Sequence, residues 1–158
     1  ISQGHGMPTL TGIDIEENFY NCWTDTHRNL AALMTLELLE KIAVENQDIS
    51  KEIVYALKTL KEINYSQVFP YAVGVWFILK ILKYSGVDYT IEEFSQNVKM
   101  SLSDISQIDI EEVQTLDITQ ASIISALYYL SLIIKNQLSI KLHIIEQISL
   151  QYNHLSNI

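Results

Sequence analysis

The chain has 158 residues, of which 48% are apolar and 18% are charged, and it carries a net charge of −9. This length fits one domain or two small ones, and the apolar fraction is too high for a disordered chain. The ten basic residues are nine Lys and the single Arg28. Proteins that bind phosphate backbones normally carry many Lys and Arg, so the charge argues against nucleic-acid binding as the main task. One cysteine, Cys22, excludes an internal disulfide and a multi-Cys zinc site.

The N-terminal segment is polar and contains Gly4, Gly6 and Pro8, so we expect residues 1–12 to be flexible. It lacks the basic start and apolar run of a secretory signal. Two interpretations of residues 1–6 stay open: they are native, or they precede a native start at Met7. The apolar segments 68–79 and 121–134 are shorter than the roughly 20 residues that span a bilayer. We therefore expect a soluble, cytoplasmic protein with no membrane partner.

Helical periodicity begins after a polar stretch near residue 25. Asp25 or Thr24 is placed to cap the first long helix, and Glu37 and Lys41 predict an ion pair on its outer side. The apolar residues that share one side of this helix are Leu30, Leu33, Met34, Leu36, Leu39, Ile42 and Ala43. A second helix is predicted to start at Asp48 or Ser50. Its predicted inward residues are Ile53, Ala56, Leu57, Leu60 and Ile63.

The segment 70–84 is apolar on nearly all sides, which is typical of a helix covered by its neighbours. Pro70 suits the first turn, where its missing N–H is not needed, and Gly86 suits a left-handed C-cap. We expect this helix to lie at the centre of the fold.

The rest of the chain also reads as helical. A capping box at Thr90 and Glu93 predicts a short helix to about Val98, and 101–107 is another short helix. Asp109 and Glu112 form a further capping pair. Two longer helices are predicted at 119–136 and 139–153. The sequence thus predicts an all-α bundle of seven or eight helices, with residues 13–158 as one domain.

The densest polar cluster lies at the start of the first long helix and contains Cys22, Trp23, Asp25, His27 and Arg28. Cys and His are the residue types of a nucleophilic pair, and a Cys before a helix N-terminus can have a lowered pKa. The alternative is structural: Asp25 caps, Trp23 anchors the start of the helix, and Arg28 pairs with a carboxylate. The structural interpretation is favoured because no Gly turn for an oxyanion accompanies the cluster.

Metal and cofactor sites find little support in the sequence. The four histidines are scattered, without the repeated Glu-x-x-His pattern of a di-metal bundle. The adjacent acid pairs point apart on a helix and do not form a catalytic dyad. We expect no metal and no cofactor.

Two surfaces are candidates for binding. Lys51, Lys58 and Lys61 share one helix face, with Lys80 and Lys83 on the next helix, and form a candidate nucleic-acid surface. In the last two helices, apolar residues lie on several sides, so some apolar surface is expected to be exposed unless a partner or a second copy of the chain covers it. These residues are Leu130, Leu132, Ile133, Ile134, Leu138, Ile140, Leu142, Ile144, Ile145 and Ile148.

Several short segments share their order with a known repeat. They are 26–31 (THRNLA), 41–43 (KIA), 70–73 (PYAV), Gly86, 89–94 (YTIEEF) and 98–105 (VKMSLSDI). Over about residues 24–108 the chain resembles the cyclin-box repeat of the general transcription factor B family. The resemblance implies a cyclin-like fold around the helix 70–84 and a place in transcription machinery.

The chain also departs from that family. It lacks the Cys pairs of the family's zinc ribbon and the basic surface with which its repeats meet DNA, and it has Gly74 where the family prefers Ala. An acidic surface then favours a protein partner over promoter DNA. Our leading interpretation is a protein-binding or regulatory module, an accessory factor in transcription or replication. The alternatives are a nucleic-acid-binding subunit of a polymerase or primase complex, and an enzyme subunit with a site near Cys22 and His27.

Overall fold

The structure is a computed structural model and describes residues 17–43, 47–87 and 105–155. Helices make up most of these ranges. Residues 105–107 are helical, and these ranges contain no strand. The all-α prediction is therefore confirmed for the described chain. The helices in order are α1 (Tyr20–Thr24), α2 (Thr26–Ile42), α3 (Ser50–Tyr65), α4 (Pro70–Tyr84), a 3-10 helix (Ile110–Thr115), α5 (Gln120–Leu138) and α6 (His143–Leu155).

Helix α4 lies at the centre, as its sequence predicts. Every residue from Tyr71 to Leu82 except Lys80 is buried, and α4 packs against α2, α3, α5 and the 3-10 helix. Pro70 occupies its first turn. Gly74 lies against the side chain of Met34 on α2, since a Cβ at this position would overlap Met34 Cε. Because Met34 Cε is the end of a flexible side chain, a residue larger than Gly at position 74 would require Met34 to move.

The capping signals at Asp25, Gly86 and Asp109 form as the sequence predicts. The Asp25 side chain accepts a hydrogen bond from the Arg28 N–H at 2.8 Å. Thr119, where the sequence predicts a helix start, is the N-cap of α5, and its Oγ1 accepts a hydrogen bond from the Ser122 N–H at 3.2 Å. Gly86 has φ +67°, and the next N–H, of Val87, donates to the Leu82 carbonyl at 3.0 Å. This is the Schellman arrangement of a helix C-terminus. Asp109 and Glu112 form a capping box on the 3-10 helix.

One predicted helix starts later than expected, and three predicted segments lie outside the described residues. Helix α6 begins at His143 and not at Ser139, because Ser139 has left-handed backbone (φ 58°) and ends α5. The cap of α6 comes instead from Glu37 of α2, so the predicted pair of Glu37 with Lys41 is wrong. Residues 1–12, the capping box at Thr90 and Glu93, and residues 101–104 lie outside the described residues.

Four apolar residues of α2 and α3 are more exposed than the sequence indicates. Periodicity groups Leu33 and Leu36 with the buried residues of α2 and predicts that Ile53 and Leu57 of α3 face inward, but all four are exposed. Their helical spacing is as expected, but each keeps between 40% and 47% of its surface exposed. In the described part of the chain, no helix is long and apolar enough to cross a membrane.

Candidate functional site

Arg28 fastens the start of α2 to the end of α3. Its Nη1 donates to the Ile63 carbonyl, and its Nη2 donates to the Ser66 carbonyl at 2.6 Å. These carbonyls belong to the α3 C-terminus, where a cation also complements the helix dipole. The predicted pairing of Arg28 with a carboxylate is therefore wrong: both ion pairs of the described residues lie elsewhere.

Asn64 joins α1 to α3 and gave no signal in the sequence. Its buried side-chain Oδ1 accepts hydrogen bonds from the Asn21 N–H at 2.9 Å and the Cys22 N–H at 3.3 Å. Asn21 Nδ2 donates in return to the Asn64 carbonyl at 2.8 Å. The cluster around Cys22 thus lies at a junction of three helix ends.

Cys22 and His27 do not form a nucleophilic pair in this geometry. Cys22 is 5% exposed, and burial raises the pKa of its thiol against the opposing charge of Arg28. This is the opposite of the lowered pKa that the sequence suggested. His27 Nδ1 lies 3.2 Å from the Tyr71 hydroxyl, and its ring packs near Phe69 and Tyr152. Because burial also raises the pKa of Tyr71, this hydroxyl stays protonated and can donate to His27.

The prediction that Trp23 anchors the start of the helix is wrong. Its side chain projects outward, with 76% of its surface exposed. Tyr20, one turn earlier on α1, is exposed as well. Tyr65, at the end of α3, is also exposed, and its hydroxyl donates to Glu17 Oε1 at 2.8 Å. Exposed Trp and Tyr side chains are typical anchors of protein interfaces.

The outer sides of α2 and α3 together form an apolar surface, which we call the α2–α3 face. It consists of Leu33, Leu36, Ile53, Val54 and Leu57, each between 40% and 52% exposed. The two helices run antiparallel, since Arg28 near the start of α2 reaches the end of α3. Their inner sides pack on α4. These five aliphatic side chains lie on two helices that pack against each other, which makes the α2–α3 face a candidate protein-binding surface.

The predicted lysine surface borders this face. Lys51, Lys58 and Lys61 are all exposed on α3, spread over about 15 Å of helix. Lys51 Nζ lies 5.8 Å from the centre of the Tyr84 ring, while Lys80 Nζ lies 5.1 Å from the Trp76 ring. Lys58 directly follows Leu57, and Lys61 lies one turn further. Lys58 and Lys61 therefore lie next to the α2–α3 face, whereas Lys51 lies beside Tyr84 of α4.

Comparison with protein-family models, curated proteins and solved structures finds no match to this chain. In the three described ranges, no group of three His, Cys, Asp or Glu side chains is arranged to hold a metal ion. The cyclin-box resemblance stays a prediction from the sequence.

Proposed function

We propose that this protein is a protein-binding helical module whose α2–α3 face receives an amphipathic helix of a partner. The observation that carries the proposal is the exposure of five aliphatic residues on two adjacent helices. In keeping with the sequence resemblance, we propose a regulatory or accessory role in transcription or replication machinery.

The apolar part of the face supports a weak, reversible complex. Covering each half-exposed aliphatic side chain contributes about 1 kcal/mol, and an equal contribution from the partner gives roughly 10 kcal/mol for five residues. Association itself costs at least about 4 kcal/mol. The balance is at most about 6 kcal/mol, which corresponds to a Kd no tighter than about 40 μM.

The lysines define the chemistry of the partner. In a chain of net charge −9, Lys58 and Lys61 place two exposed positive charges next to Leu57 on the α3 side of this face, whereas the exposed acid Glu40 lies on α2. A helix with a leucine stripe and acidic flanks complements both features. Opposite charges at the rim mainly raise the association rate and exclude partners with basic flanks.

A pair of designed peptides tests the proposal. Each is a labelled helix of about 18 residues with the same leucine stripe, flanked by Glu in one and by Lys in the other. By fluorescence anisotropy, we expect the Glu peptide to bind about tenfold more tightly, with the difference shrinking in about 0.5 M NaCl. Leu57→Asp should abolish binding, whereas Leu132→Asp on α5 should leave it unchanged.

Two results would contradict this function. One is the absence of binding by either peptide at about 1 mM, the weak end of measurable affinities. The other is equal weakening by Leu57→Asp and Leu132→Asp, which would indicate non-specific adhesion. The nucleic-acid alternative predicts that a labelled single-stranded oligonucleotide binds at low salt and is released steeply as salt rises. Lys58→Glu with Lys61→Glu would then reduce oligonucleotide binding.

A further inference from the structure

Helices α5 and α6 carry a second exposed apolar surface, separate from the α2–α3 face. Between them runs a groove of about 460 Å³, which we call the α5–α6 groove. Leu142 and Ile145 are buried beneath it, and Tyr128, Leu132 and Leu150 stand exposed beside it. Leu150 is 60% exposed, so one patch contains both a recess and a protruding apolar side chain.

The groove continues along α5 into a second recess of about 400 Å³. Tyr128 and Tyr129 line it, with their ring centroids 5.9 Å apart and both rings exposed. Ser125 and Ser149 also line this recess. Their small side chains let another helix approach closely.

The charge of the chain is distributed very unevenly. With His neutral, residues 118–158 contain three charged side chains: Lys135, Lys141 and Glu146. The other eight basic residues and eighteen of the nineteen acids precede residue 118. Lys141 and Glu146 pair with each other at 3.2 Å beside the groove. The α5–α6 surface is therefore nearly neutral in a strongly acidic protein.

We propose that a second copy of this chain occupies the α5–α6 groove, in a two-fold dimer whose α5 and α6 helices form a four-helix bundle. A two-fold contact requires a self-complementary patch, and the groove supplies a recess, a protrusion and charges of both signs. Two copies with a charge of −9 each repel one another. That repulsion is smallest where the acids are absent, which is at this surface.

The size of the surface fits a dimer that dissociates on dilution. Helices of 19 and 13 residues are about 28 and 20 Å long, and two helices side by side are about 20 Å wide. The contact then covers on the order of 500 Å² in each copy, close to the lower limit for a specific interface. We expect dissociation in the micromolar range.

Sedimentation velocity of the full chain from about 5 to about 500 μM tests the dimer. The native protein should shift from monomer to dimer over this range. Leu132→Asp combined with Leu150→Asp should stay monomeric with an unchanged circular dichroism spectrum, since both residues are exposed. Leu57→Asp, on the α2–α3 face, is the matched control and should still dimerise.

The dimer would be overturned if the native protein stayed monomeric throughout, or if it formed species larger than dimers. It would also be overturned if Leu57→Asp abolished association while the double variant retained it. Failure of the dimer leaves the peptide experiment unaffected, because that experiment addresses the other surface.

Discussion

Glu37 of α2 caps the first turn of α6, a helix that begins 106 residues later in the chain. Its Oε1 accepts a hydrogen bond from the His143 N–H at 2.9 Å, and its Oε2 accepts one from the Ile144 N–H at 3.1 Å. His143 Nδ1 lies 3.1 Å from Oε1. Burial raises the pKa of the Glu37 carboxyl, but these hydrogen bonds lower it by more, so the pKa lies below its usual value.

Replacing this cap should destabilise the fold measurably. Glu37→Gln removes the charge and one accepting oxygen, so we expect the free energy of unfolding in urea to fall by about 1–2 kcal/mol at neutral pH. Glu40→Gln, exposed on the same helix, is the control and should change it by less than about 0.5 kcal/mol. Equal effects of the two variants would contradict the capping role.

The same contact makes stability depend on pH. Because the pKa of Glu37 is lower in the folded than in the unfolded chain, its contribution is complete above the unfolded value near 4.5. It is lost as the pH falls through the folded value. The stability difference between the native protein and Glu37→Gln should therefore shrink below about pH 4.5. A constant difference from pH 7 to pH 3 would show that the charge of the carboxylate is not involved.

Arg28 should stabilise the fold through its two guanidinium hydrogen bonds as well as through its charge. Arg28→Ala leaves the Ile63 and Ser66 carbonyls without their partner, and we expect a loss of about 2–3 kcal/mol in unfolding free energy. Arg28→Lys keeps the charge at the α3 C-terminus but reaches fewer carbonyls, and it should lose about half as much. Lys61→Ala provides the surface control. If Lys restored full stability, charge alone would explain the contact.

The thiol of Cys22 should be unreactive in the folded protein. Burial and the raised pKa both reduce the thiolate fraction at neutral pH, so iodoacetamide should modify Cys22 more slowly than free glutathione. In urea the rate should rise to that of an ordinary thiol. Modification in the native protein faster than glutathione would instead support the enzyme alternative.

Replacing each tryptophan by Phe should change the free energy of unfolding by very different amounts. The buried Trp76 donates from Nε1 to the Ile108 carbonyl at 3.0 Å and packs on Tyr55, so Trp76→Phe should cost about 1–3 kcal/mol. Trp23→Phe, at the exposed site, should change stability by less than about 0.5 kcal/mol. Iodide should quench the fluorescence that remains in Trp76→Phe and spare that in Trp23→Phe.

Features set by neighbours in the chain were predictable from the sequence. The caps at Asp25 and Asp109, the first-turn Pro70 and the terminal Gly86 each act within about one helical turn, so a few adjacent residues in the sequence are enough to predict them. The burial of α4 was predictable because its residues are apolar in every direction, whichever side its neighbours occupy.

Features set by distant parts of the chain were not predictable. Periodicity groups Leu33 with Leu36, and Ile53 with Leu57, but it does not say whether another helix covers that side. Arg28 meets carbonyls and not a carboxylate, because α3 ends beside it. Glu37 has Lys41 at a favourable spacing, yet it binds two N–H groups of α6, since a partly buried carboxylate gains more from converging donors than from one mobile ammonium group.

The contact between Met34 of α2 and Gly74 of α4 has a consequence for sequence variation. Positions 34 and 74 share one volume: the methyl end of Met34 fills the space that a Cβ at residue 74 would occupy. A relative with Ala at position 74 should carry a shorter or differently directed side chain at position 34. The two positions should therefore covary among relatives, a pattern that an alignment can reveal without any measurement on the protein.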